Sequence, residues 1–270
     1  MRTPGLKTRP PGGRTFRSGW LTRYHPRIVV RGKDSDVRSF DTLSDLSAAL
    51  AEDIVRIAHD AIASRGRFTL VLAGGQTPRA LYERLASAAM RERIAWARVH
   101  VFWGDERYVP HADPRSNVRM AREALLDHVP CPPEQVYPMP TSMAPADEAA
   151  MAYEGALRQF FGAAPPVFDL VLLGLGADGH TASLFPHAPA LRESTRQVVA
   201  VTAAADPPVR LTLTLPPLLG ASRIFVLAAG ADKLPALAHV LAPGADADRY
   251  PAAALRAANG RLTWWVARMG

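Results

Sequence analysis

Cysteine is nearly absent: Cys131 is the one thiol in 270 residues. That excludes an internal disulfide framework and fits a reducing compartment, so the expected location is cytoplasmic. Its neighbours Pro130, Pro132 and Pro133 mark it as an incidental loop thiol. Long apolar runs are missing too. Nothing approaches the ~20 residues that span a bilayer, which argues against an integral membrane protein. Catalytic and metal signatures are equally scarce. There is no G-x-S-x-G nucleophile elbow, and neither H-E-x-x-H nor a paired Cys/His spacing for zinc.

Acidic residues are lacking over residues 1–27, which carry Arg2, Lys7, Arg9, Arg14, Arg17, Arg23 and Arg27. Those seven charges equal the net charge of +7, so the remaining chain is neutral with 25 basic and 25 acidic residues. A neutral body argues against a broad phosphate-backbone-binding face, so no nucleic-acid partner and no membrane partner are expected. The basic segment is rich in Gly and Pro and has no apolar h-region, so it is not a secretory signal. It reads as a disordered extension, or as a start placed too far upstream, ahead of one domain over residues 28–270.

What is present is alternation. Strand-like segments fall at 27–30, 68–73, 99–103, 170–173, 198–201, 210–215, 224–228 and 262–266. Helical spacing marks 43–63, 78–89, 116–128, 146–161 and 233–241. Proline at the first turn, with Thr77 just before it, suits a helix start near Pro78. Such alternation predicts an α/β fold with a largely parallel sheet covered on both sides.

Glycine-marked turns follow three of these strands, where open α/β sheets place their ligands. In LAGGQTP (residues 72–78), Gly74 and Gly75 permit close backbone approach and Thr77 offers a hydroxyl. The helix start behind them suits a phosphate. FWGDERYV (residues 102–109) reads as a charged turn in which Asp105 and Arg107 can orient a sugar hydroxyl and clamp a phosphate oxygen. Ser116 and Asn117 downstream read as helix caps. DLVLLGLGADGHTASLFP (residues 169–186) delivers His180 from a buried strand, and histidine exchanges protons near neutral pH. Its Gly174, Gly176 and Gly179 form a formal G-x-G-x-x-G. Pro186 stops any long helix after it, which argues against a dinucleotide site. A fourth strand end, GADK (residues 230–233), adds the ammonium of Lys233.

These motifs, with SNVRMA and LTLTLP, occur in an order that resembles the 6-phosphogluconolactonase family over about residues 28–270. The resemblance implies a three-layer α/β/α sandwich of modified Rossmann type, shared with glucosamine-6-phosphate isomerases and, more distantly, ribose-5-phosphate isomerase and CoA transferases. GDERY and HTASLFP have the lactonase form, where the isomerases have an MDEY-type turn and a histidine followed by AFNEP. The resemblance further implies hydrolysis of 6-phospho-D-glucono-1,5-lactone with His180 as the base that activates water. Asp105 is then expected to orient His180 or a sugar hydroxyl. Gly74, Gly75, Thr77, Arg107 and Lys233 would hold the phosphate, and N–H groups of the turn from Gly176 to Gly179 would face the oxyanion. No metal or organic cofactor is expected, and the chain should be a monomer or small homo-oligomer. Gln76, Leu219 and Ala267 depart from the family pattern. The rivals are a phosphosugar isomerase on the same fold and a non-catalytic phosphosugar sensor tethered to nucleic acid by the basic tail.

Overall fold

The computed structural model describes residues 28–31, 36–143 and 145–268. The expectations for residues 1–27 lie outside the described residues. Among the described residues ten strands run in chain order: β1 (Ile28–Arg31), β2 (Asp36–Phe40), β3 (Phe68–Leu72), β4 (Val99–Trp103), β5 (Asp105–Arg107), β6 (Leu170–Gly174), β7 (Val198–Thr202), β8 (Val209–Leu213), β9 (Ile224–Ala229) and β10 (Leu262–Ala267). The α-helices are α1 (Leu43–Arg65), α2 (Gln76–Ala86), α3 (Asn117–Ala124), α4 (Ala146–Phe161), α5 (Leu215–Leu219) and α6 (Leu234–Leu241).

Seven strands form one sheet in the order β1-β2-β10-β9-β6-β3-β4. All neighbours are parallel except β1 and β2. The chain crosses the sheet one way through α1 and α2 and returns through α4, α5 and α6. Right-handed crossovers then put the two sets of helices on opposite faces. The fully buried run of β3, FTLVL, is the pattern of a strand covered on both sides. The expected three-layer α/β/α architecture is therefore present. No helix among the described residues is long and apolar enough to cross a membrane.

The direction of travel reverses between β3, which leads outward to β4, and β6, which leads back toward β9. Such a switch point leaves a crevice at the carboxyl ends of the two strands. Local bonds hold these ends in place. The Tyr82 hydroxyl donates to the carbonyl of Ala73 and accepts from its N–H, both at 2.9 Å, fixing the backbone just before Gly74. At the opposite end, buried Asp169 accepts from the N–H and hydroxyl of Thr69, tying β6 to β3.

Three expectations need correction. The charged turn after β4 is a strand: β5 pairs antiparallel with β8, which pairs with β7 in a separate three-stranded sheet. The helix expected from Pro78 begins at Gln76, with Gly75 as N-cap at φ 101°, so Thr77 lies inside the first turn and caps nothing. The helix expected to reach His128 stops at Ala124, and a 3₁₀ turn over Leu126–His128 continues it.

Candidate active site

A cleft of ≈ 470 Å³ opens at the switch point, among the carboxyl ends of β3, β4, β6 and β9. It gathers Gly74, Gly75, Thr77, Asp105, Arg107, His180 and Lys233 from four separate strand ends. The sequence-predicted residues are thus brought together, with one exception. A smaller cleft of ≈ 400 Å³ lies at the amino ends of the strands, beside Asp169 and Arg223. It is lined by no histidine and lies away from the three glycine-marked turns and from GADK.

On the β3 side, two glycines are required for different reasons. Gly75 has a positive φ that L side chains rarely adopt. A Cβ on Gly74 would stand 1.9 Å from Oδ1 of Asn117. Removal of both side chains brings backbone to the cleft at the start of α2, where N–H groups of the first turn have no intrahelical acceptor. That is an anion-binding arrangement. Lys233 faces it from the loop after β9, its ammonium 3.0 Å from the Asp232 carboxylate. The Gly230 N–H donates to the Ala267 carbonyl, which anchors this loop to the end of β10. Of the family departures, Gln76 lines the cleft, whereas Leu219 packs against the apolar core and Ala267 is buried in β10.

On the β6 side, the His180 turn folds back on itself. Nδ1 of His180 lies 2.6 Å from Oδ1 of Asp178. A carboxylate only accepts, so Nδ1 carries a proton, and in the neutral ring the lone pair falls on Nε2. Burial opposes ionisation of Asp178, but the hydrogen bonds from His180 outweigh it and hold the carboxyl below its usual range. Gly176 makes the fold-back possible, since a Cβ there would stand 2.1 Å from Nδ1 of His180.

The histidine's partner is therefore Asp178, and the expectation that Asp105 orients His180 is corrected at the level of hydrogen bonding. Asp105 instead accepts from the Ser183 hydroxyl at 2.6 Å and keeps its place in the cleft wall. The oxyanion expectation is narrowed at the two ends of the turn. The Gly176 N–H donates to the His180 carbonyl and the Gly179 N–H to the Gly176 carbonyl, so both are spent within the turn. Gly179 is the exception noted above. It packs on Tyr250, which a Cβ would approach to 2.8 Å, and it does not line the cleft.

Three further residues join the candidate site. Asp178 was visible two positions before the histidine, but only the backbone turn shows that they meet. Asn117, read as a cap, also lines the cleft and donates through Nδ2 to the Asp105 carbonyl. Arg210 enters the cleft from β8, in the second sheet. Behind the wall, Glu106 is fully buried. Its carboxylate accepts from the N–H groups of Arg107, Asn117 and Val118 and from the Ser116 hydroxyl, at 2.7–2.9 Å. Burial pushes this carboxyl up, against those four bonds.

Comparison with known proteins gives the family. A family model described as glucosamine-6-phosphate isomerases/6-phosphogluconolactonase matches residues 41–264. A 6-phosphogluconolactonase of Synechocystis sp. is 47% identical, covering 76% of this chain and 83% of its own. One of Nostoc sp. is 42% identical over 84% of this chain and 94% of its own. The structure of 6-phosphogluconolactonase from Trypanosoma brucei superposes with a TM-score of 0.73 at 33% identity, over 85% of this chain and 95% of that one. The chain belongs to the glucosamine-6-phosphate isomerase/6-phosphogluconolactonase family.

Proposed function

We propose that the chain hydrolyses 6-phospho-D-glucono-1,5-lactone to 6-phospho-D-gluconate, with His180 as the general base. One observation carries this reading. A histidine with its Nδ1 proton committed to Asp178 sits in the same cleft as the Gly74–Gly75 loop at the start of α2, and relatives 47% and 42% identical are 6-phosphogluconolactonases.

A lactone carbonyl is already electrophilic, so positioning and modest base catalysis suffice. Nε2 of His180 takes a proton from water as the water oxygen bonds to C1. The tetrahedral intermediate then collapses, the bond from C1 to the ring oxygen breaks, and the imidazolium returns its proton to that oxygen. Asp178 holds the ring in one tautomer and stabilises the transient cation. The loop of Gly74, Gly75 and Thr77, with Arg107 and Lys233, binds the 6-phosphate and keeps C1 in register. Asp105 is left to hold a sugar hydroxyl. No step requires a metal.

The test is hydrolysis of freshly generated lactone, followed as acid release above the spontaneous rate. Wild type should accelerate it, and His180→Ala should abolish the acceleration while still binding 6-phosphogluconate. Ring opening of glucosamine 6-phosphate without lactone hydrolysis would overturn the reading in favour of an isomerase.

A further inference from the structure

Arg107 and Arg210 are register partners across β5 and β8. Directly opposed residues on antiparallel strands project on the same face, and like charges there repel. Both side chains line the cleft. Arg210 is only 8% exposed. Among the described residues neither guanidinium has a carboxylate within ion-pair distance. Arg210 has one bond of 3.3 Å to the Pro207 carbonyl and stands over the Phe185 ring at 5.9 Å. Arg107 donates one bond to the Arg115 carbonyl, and its Nε is buried without a partner.

Asp105, Glu106 and Asp206 attract the Arg210 guanidinium across the cleft wall without forming an ion pair with it, their side chains being held by Ser183, by four donors and by Arg115 in turn. Lys233, by contrast, has Asp232 as its counter-charge. Burial, followed by repulsion from Arg107, holds the Arg210 guanidinium below its ordinary range. A buried charge with no direct ion-pair partner, set beside a like charge, is costly. It becomes favourable when an anion with several acceptor oxygens enters, because guanidinium matches phosphate geometry.

We propose that Arg210 is a specificity-determining residue: it completes with Arg107 a two-guanidinium clamp whose missing counter-charge is the phosphate of the substrate. The clamp selects phosphorylated lactones and disfavours plain gluconolactone. This inference rests on the lactonase reading and adds to it the residue that sets the substrate class.

The experiment compares wild type, Arg210→Met and Arg210→Lys on 6-phosphogluconolactone and on glucono-1,5-lactone, with melting temperatures read with and without 6-phosphogluconate. For Arg210→Met, KM for the phosphorylated lactone should rise about 10- to 100-fold, the size of one lost charge-assisted contact. Its kcat should stay within a few-fold, and kcat/KM on the plain lactone should not fall. Arg210→Lys should recover part of the lost affinity.

The melting temperature without ligand should hold or rise in Arg210→Met, because an unpaired charge has been removed. The stabilisation by 6-phosphogluconate should shrink. A lower melting temperature without ligand, or equal losses on both lactones, would assign Arg210 a purely structural role and overturn the proposal. Should wild type turn over neither lactone, the lactonase reading fails. The clamp is then judged alone by whether Arg210→Met loses the 6-phosphogluconate stabilisation that wild type shows.

Discussion

At the residue scale, the site depends on which carboxylate holds His180. Asp178 takes that place at 2.6 Å. Replacement of Asp178 by Asn leaves a group that can donate to Nδ1 and so favours the wrong tautomer. A fall in kcat of roughly 10²–10⁴-fold is expected with little change in KM. Asp105→Asn should instead act mainly on KM, because that side chain bonds to Ser183 and lines the cleft proposed to hold the sugar. Equal kcat losses in both variants would contradict this division. Gly176→Ala tests the same geometry from behind, since its Cβ would collide with the imidazole. Expected is a folded protein, by circular dichroism, with kcat close to that of His180→Ala. The pH sign follows from the depressed carboxyl of Asp178. Its contribution to stability is present above the unfolded value of about 3.9 and is lost as pH falls through the lower folded value. The stability difference between wild type and Asp178→Asn, followed by urea unfolding, should therefore shrink below about pH 4. His180 was legible in sequence because a buried strand and glycines placed it at a strand end. Its partner was not, because Asp178 is two residues away along the chain and is brought to Nδ1 only by the turn that Gly176 permits.

At the scale of elements, β5 is the segment that sequence reading missed. DER (residues 105–107) has the composition of a solvated turn. It is a strand because β8 supplies its partner and because the buried carboxylate between its two cleft residues finds four donors. Glu106 thus joins β5 to the start of α3 and sets the distance between Asp105 and Asn117. Glu106→Ala would strand three backbone N–H groups and the Ser116 hydroxyl. A loss of about 3 kcal/mol or more is expected in chemical unfolding. Stability unchanged within ±0.5 kcal/mol, the usual range for a surface substitution, would deny the bracket. The apolar strands β3, β6 and β9 and the long helix α1 were legible because their burial is written as runs and as helical spacing. Arg210 was not, since nothing in VRLTL (residues 209–213) says that β8 pairs with β5 and presents its arginine opposite Arg107.

For the whole molecule, alternation announced a parallel sheet, but strand order is set by long-range pairing and was not readable. That order decides which turns meet. The reversal between β3 and β6 brings loops more than 100 residues apart in sequence around one cleft. The net charge follows a different logic. All of the +7 excess resides in residues 1–27, outside the domain proposed to do the chemistry. A chain beginning at residue 28 should therefore keep kcat and KM while its isoelectric point falls toward neutrality. A large loss of kcat on that deletion would show that the basic segment serves the site.

The most direct measurement is the rate of acid release from fresh 6-phosphogluconolactone with wild type, His180→Ala and Asp178→Asn side by side. Acceleration by wild type, none above the spontaneous rate with His180→Ala, and a small residue of activity with Asp178→Asn are expected. Full activity in His180→Ala, from protein shown to be folded and to bind 6-phosphogluconate, would contradict the assignment of the base.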